Sequence, residues 1–281
     1  MSWLIKFAVT AAVGVLAVKL IGGTGAQSVV TTTDGMNLLT TTKYLNETSH
    51  DVVLVGSSLS ARLSEGYFTS LKIDNLALAG GASITGLEII AAAAARPKLV
   101  LVEANILSRP LDTDLFAKST VRDPVFQPVR WAVGTYERVL HPPKTKEEGR
   151  EEAEQLLSRP PEDVFDGRAV EQAIVEASSP VPIGVIEKSL FEIRRLKFAL
   201  EAEGVSVLLL QVPCSDAIET APLASTTARL AAAAFPDQSS WLQIDLDRSQ
   251  LRWTDGVHLD ERSAILVSRA IEAATRKLNA K

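Results

Sequence analysis

Three short apolar runs in the first half of the chain each end in a polar or glycine-bearing turn. Val52 to Val55 leads into Gly56-Ser57-Ser58, Ile73 to Leu78 into Ala79-Gly80-Gly81, and Leu99 to Val102 into Glu103-Ala104-Asn105. Runs this short and this apolar read as strands buried on both faces. Val205 to Val212 and Trp241 to Leu246 predict a fourth and a fifth strand. Helical patterns near Ser60 to Gly66, Ser83 to Ala95, Val185 to Glu203, Leu223 to Phe235 and Asp260 to Leu278 fall between or after them. The clearest places Ile186, Leu190, Ile193, Leu196 and Leu200 on one face, with Gly204 just beyond its end as a C-cap. The alternation predicts an α/β fold, a three-layer sandwich around a central five-stranded parallel sheet. In such open sheets ligands lie at the carboxyl ends of the strands, which is where Ser58, Gly80 and Asn105 fall.

Two regions break the alternation. Residues 108–183 hold nine of the 13 prolines and the charged run Lys144 to Glu152, and read as an insertion between the third and fourth strands. The charged run fits a solvated helix face. Because the insertion leaves the sheet right after Asn105, topology makes it a candidate lid or rim for the cleft. At the other end, Phe7 through Val18 carries no charge and lies between Lys6 and Lys19. This fits either an export signal with Gly23-Thr24-Gly25-Ala26 as small-residue cleavage site, or a helix from Trp3 to Ile21 that crosses a bilayer with its lysines reaching to the faces. Lys19 is unusual inside a signal core and favours the uncleaved anchor. The expected organisation is an anchor or signal over residues 1–25, a Thr-rich tether with one short helix over 26–49, and the main α/β domain over 50–281. Either membrane reading places that domain outside the cytoplasm, in a periplasmic setting.

At 281 residues, the chain is long enough for one α/β domain with an added segment. Its formal net charge of −5, with no basic cluster interleaved with aromatics, argues against nucleic acid as a partner. The single Cys214 excludes an intrachain disulfide, and no phosphate-binding glycine loop or metal-ligand spacing suggests a cofactor or metal.

Histidine is scarce, with 3 in the chain. His50, before the first strand, and His141, before Pro142-Pro143, have no metal-like neighbour at suitable spacing. His258 stands three residues after Asp255, beside the C-terminal helix, where it can serve as a base. A base needs a nucleophile, and the first strand delivers serine to a strand-to-helix turn, where backbone N–H groups face a developing oxyanion. Ser57 and Ser58 are the two candidate nucleophiles at this turn. Glu103, at the end of a central strand, reads as a substrate contact or as a structural hydrogen-bond acceptor. Trp253, beside the Asp255 to His258 segment, reads as a sugar-stacking residue or as packing for the loop.

Taken in order, Gly56-Ser57-Ser58-Leu59, Asn75 through Gly80, Asn105, and Asp255-Gly256-Val257-His258 resemble the blocks of the SGNH (GDSL-like) hydrolase superfamily over roughly residues 50 to 275. The resemblance implies Ser58 as nucleophile, His258 as general base and Asp255 as the residue orienting the imidazole. It implies an oxyanion hole made of the backbone N–H groups of Ser58 and Gly80 and the side-chain amide of Asn105. The chain departs from the family pattern at Ser57, where an Asp is usual, and at Glu103 and Ile106, where Gly and Asp are usual, which loosens any inference about substrate. The expectation is a serine esterase acting through an acyl-enzyme on acylated carbohydrate or a small ester, with cell-envelope glycans and polysaccharide-biosynthesis proteins as partners. The alternatives are an O-acyltransferase using the same acyl-enzyme, or an envelope-glycan assembly protein with weakened chemistry.

Overall fold

A computed structural model describes residues 32–120, 146–163 and 165–279. The expected membrane helix and part of the insertion lie outside these residues. Among the described residues no helix is long and apolar enough to cross a membrane.

In chain order the described elements are α1 (Thr33–Asn46), β1 (Val52–Gly56), α2 (Ser58–Ala61), β2 (Ile73–Ala77), α3 (Ser83–Ala92), β3 (Leu99–Glu103), α4 (Thr113–Thr120), α5 (Lys146–Leu157), α6 (Gly167–Ala177), α7 (Ile183–Ala202), β4 (Ser206–Leu210), α8 (Asp216–Glu219), α9 (Pro222–Ala234) and α10 (Glu261–Asn279). The strands form one parallel sheet in the order β2-β1-β3-β4. The two central strands, β1 and β3, are buried along their whole length. Alternate side chains serve opposite faces, as the pleat requires. Val53, Val55, Val100 and Val102 pack with apolar residues of α1, α3, α7 and α9. Leu54 and Leu101 pack on the other face with residues of α6, α8 and α10. The fold is α/β with a parallel sheet flanked by helices.

The fifth strand is a correction: from Trp241 to Leu246 only one parallel bridge, Leu209 to Trp241, forms beside β4, supported by the Leu242 N–H donating to the Leu209 carbonyl at 2.8 Å. Gln243 and Asp245 alternate with the apolar residues and are exposed, so the segment has only one face to bury and leaves the sheet edge after one pair. The Thr-rich stretch also does more than tether. Most of it is α1, where Tyr44 enters the core and the Asn37 amide donates to the Ala79 carbonyl at 2.9 Å.

β1 and β3 run in register from Val52 opposite Leu99 to Val55 opposite Val102. The next residues, Gly56 and Glu103, therefore sit side by side at the carboxyl edge of the sheet. A Cβ at Gly56 would stand 2.5 Å from the Glu103 carboxylate, so only glycine leaves room for that side chain.

Candidate active site

β1 ends at Gly56, and α2 begins two residues later at Ser58. Ser57 caps α2, its Oγ accepting from the Leu59 N–H at 3.2 Å. The same hydroxyl donates to Glu103 Oε1 at 2.7 Å, and Ser57 is fully buried. That engagement removes Ser57 as a rival nucleophile. Ser58, the first helical residue, is half-buried and directs its Oγ to His258 Nε2 at 2.8 Å. His258 Nδ1 lies 2.6 Å from Asp255 Oδ2, while Asp255 Oδ1 accepts the backbone N–H groups of His258 at 2.7 Å and Val257 at 3.0 Å. Partial burial pushes the Asp255 carboxyl up, but the His258 backbone N–H and ring and the Val257 N–H outweigh it and hold it below the usual carboxylate range. One oxygen thus fixes the loop and the other orients the imidazole.

The loop carrying this pair is closed at its base. Trp253 and Leu259 form an antiparallel bridge, Thr254 N–H donates to the His258 carbonyl at 2.9 Å, and Asp260 N–H to the Arg252 carbonyl at 3.0 Å. Gly256 takes φ +80°, a conformation L side chains rarely adopt, and its carbonyl accepts the Ser215 N–H at 2.9 Å. Asp260 then caps α10 by accepting the Ser263 N–H at 2.7 Å.

No family model matches this chain, and no curated protein matches it.

The remaining sequence-predicted residues divide by role. Gly80 turns the chain after β2 at φ +71°. Among the described residues, the backbone N–H groups of Ser58 and Gly80 have no hydrogen-bond partner. Asn105 forms a reciprocal pair with Val212: its Nδ2 donates to the Val212 carbonyl at 2.8 Å and its Oδ1 accepts the Val212 N–H at 2.8 Å. The pair locks the amide and leaves its second N–H without a partner among the described residues.

Glu103 is not a substrate contact. It is fully buried beneath the nucleophile turn, where Oε1 accepts Ser57 Oγ and Oε2 accepts Ser57 N–H at 2.9 Å, Ser60 N–H at 3.2 Å and Ser60 Oγ at 2.7 Å. Four donors converge on one carboxylate, the partner set an acceptor-only group requires. Trp253 packs its loop: the indole N–H donates to the Pro213 carbonyl at 3.0 Å and the ring faces the Arg248 guanidinium at 5.8 Å. Neither contact resembles a free stacking platform.

The contacts of three residues had no sequence signal. Ser60 completes the Glu103 cradle from one turn into α2. Asn75 fastens that region from β2, its Nδ2 donating to the carbonyls of Ser60 and Leu63, each at 2.8 Å. The insertion reaches the Asp255 to His258 loop through Asp166, whose N–H donates to the Thr254 carbonyl at 2.8 Å, while its side chain caps α6. Cys214 is buried nearby, and burial, followed by Glu219 and Glu103, pushes its thiol up to about 12, so it stays protonated and is no competing nucleophile.

His50 has more company than its sequence neighbours suggested. Its Nδ1 lies 2.8 Å from Asp74 Oδ2 and 4.0 Å from Glu47 Oε2, and its ring stacks on Tyr44 with centroids 4.1 Å apart. Ligand atoms of Glu47, His50 and Asp74 lie within 4.8 Å of one another. Asp74, which β2 supplies, was invisible from local spacing. The hydrogen bond and the ring stack account for the burial of His50 as packing.

Proposed function

We propose that the chain is a serine esterase of the SGNH type that acts through a Ser58 acyl-enzyme on O-acylated carbohydrate or a small ester. The observation that carries this reading is the continuous chain of contacts from Ser58 Oγ to His258 Nε2 at 2.8 Å and from His258 Nδ1 to Asp255 Oδ2 at 2.6 Å. A serine hydroxyl is a poor nucleophile until an imidazole accepts its proton. In this reading Ser58 Oγ attacks the ester carbonyl as its proton passes to His258 Nε2, and Asp255 holds the ring in the productive tautomer and stabilises the imidazolium. The oxyanion is received by the free N–H groups of Ser58 and Gly80 and the second amide N–H of Asn105. His258 returns its proton to the leaving alcohol. Water, activated by the same imidazole, then releases the acid and restores Ser58.

Each oxyanion donor of this kind is worth about 10²- to 10³-fold in rate. Hydrolysis is favoured over transfer because Ser58 and His258 are both half-buried rather than sealed, so water reaches the acyl-enzyme. The apolar segment Phe7 through Val18 supports placement of the enzyme outside the cytoplasm, held by an N-terminal anchor, where envelope glycans are the accessible acylated carbohydrates.

The test compares wild type with Ser58→Ala for fluorophosphonate labelling and p-nitrophenyl acetate hydrolysis. Labelling and turnover confined to wild type are expected. A folded wild type that neither labels nor hydrolyses would remove the proposal.

A further inference from the structure

A cavity of about 320 Å³ opens beside the candidate nucleophile. It meets the site at Leu59, Asn105 and Val257, neighbours in the chain or in space of Ser58 and His258. Its floor is apolar, with Leu59, Ala104, Val212 and Ile218 all buried. Cys214 joins that floor as a protonated thiol, which behaves as a small hydrophobe. Thr227 presents its methyl group, because its hydroxyl donates to the Leu223 carbonyl in its own helix at 2.7 Å.

Two helices make the walls, and both do so with alanine. α6, from the insertion, contributes Ala173 and Ala177, and α9 contributes Ala224 and Ala228. Residues four apart stack on one helix face, so each wall is a smooth strip one turn long. The charged groups at the cavity stand at its rim: Glu176 is exposed, Glu219 is engaged by Arg248 at 3.0 Å, and Arg109 donates to the Gly81 carbonyl at 3.3 Å.

Asn105, the side-chain oxyanion donor of the proposed reaction, is in the cavity wall, as is Val257 next to His258, whereas Ser58, Gly80, Asp255 and His258 are not among its lining residues. A leaving alcohol must lie against His258 Nε2 to receive a proton, so the group that fills the cavity is the acyl half of the ester. At about 30 Å³ for each water-sized group, the space takes about ten such groups, enough for an octanoyl chain, and holds an acetyl group loosely. We propose that this cavity is the acyl pocket, that the preferred ester carries a linear apolar chain of medium length, and that Ala173 and Ala224 set the length accepted. The inference rests on the serine-esterase reading above.

The experiment measures kcat/KM for p-nitrophenyl acetate, butyrate and octanoate with the full chain and with Ala173→Phe and Ala224→Phe. Wild type is expected to prefer octanoate to acetate by about tenfold or more, and each variant to lower the octanoate-to-acetate ratio by about tenfold, the scale on which a hydrophobic pocket discriminates size. The two substitutions sit on separate helices, so a variant that fails to fold leaves the other as a test. Acetate and octanoate used equally well by wild type, or a ratio unchanged in a folded variant, would overturn the acyl pocket alone. A folded wild type that hydrolyses no ester would overturn the esterase reading as well.

Discussion

At His258 the ring Nδ1 lies 2.6 Å from a carboxylate oxygen of Asp255, and at His50 it lies 2.8 Å from one of Asp74. The bond is nearly the same; the surroundings are not. The His50 side chain is 1 % exposed and stacked on Tyr44, and its partner projects from a strand of the sheet. The His258 side chain is 24 % exposed, its partner is three residues away in the same loop, and its Nε2 meets a serine hydroxyl at the carboxyl end of the sheet. A carboxylate can orient an imidazole anywhere in a protein. What makes the second pair a candidate base is an Nε2 aimed at a hydroxyl that has no other partner among the described residues.

The largest expected effect separates the pairs outright. His258→Ala is expected to lower kcat by about 10⁴- to 10⁶-fold with the fold intact, the scale of losing a triad member. His50→Ala is expected to leave kcat per folded molecule near wild type while costing about 2 to 4 kcal/mol of stability, because it removes a buried stack and orphans Asp74. Ester turnover and chemical denaturation on the same samples measure both. An active His258→Ala enzyme would erase the comparison.

Substituting the acids sharpens it. Asp255→Asn is expected to cost about 10⁴-fold in kcat by allowing the wrong imidazole tautomer, and Asp74→Asn only about 1 to 3 kcal/mol of stability. Steady-state kinetics and melting curves distinguish these outcomes.

A smaller effect should follow from the group beneath the nucleophile. Glu103→Gln exchanges an acceptor of four hydrogen bonds for an amide that must present two donors to the same ring of donors. A stability loss of about 2 to 3 kcal/mol is expected, together with a fall in kcat larger than any change in KM, since Ser57 and Ser60 hold the turn that aims Ser58. Equal kcat in the variant would show that the cradle has no part in positioning.

The effect that bears least on the comparison concerns a carboxylate that bonds to neither pair. Glu272, on α10, accepts the N–H groups of Thr69 at 3.1 Å, Ser70 at 2.5 Å and Leu71 at 2.7 Å. Burial pushes its carboxyl up, but the hydroxyl and backbone N–H of Ser70 and then of Thr69 outweigh it and bring it from 4.5 down to about 2. A depressed carboxylate stabilises the fold above its unfolded-state value and loses that contribution as pH falls through the folded-state value. Unfolding free energy is therefore expected to drop between about pH 4.5 and 2, with an upper limit on the order of 3 kcal/mol from this group. Glu272→Gln should flatten that portion of the stability curve while leaving the relative properties of the two histidines untouched.

Much of the sheet was legible because β1, β2, β3 and β4 are fed by compact apolar runs, and four of the five expected helices form as α3, α7, α9 and α10, whereas the one expected from Ser60 to Gly66 is only the short α2, Ser58–Ala61. The fifth strand failed for a local reason, since Gln243 and Asp245 deny it a second buried face. Ser58, Asp255 and His258 could be found because the chain has so few histidines and because the serine follows a buried strand. Glu103 could not be assigned without the register of β1 and β3, which alone reveals that its side chain passes under Gly56 rather than into the cleft. The role of α6 was equally hidden. Its alanines and Asp166 acquire meaning only when the insertion packs back on the Thr254 to Gly256 turn, a contact between segments with no shared sequence pattern.

The most direct test of the central claim is to mix the protein with p-nitrophenyl octanoate, quench in acid within the first turnover, and map the acylated peptide by mass spectrometry. The account predicts one octanoyl group on Ser58, present in Asp255→Asn at slower build-up and absent from Ser58→Ala. Turnover with no adduct on Ser58, or with the acyl group on Ser57 or Cys214, would contradict it.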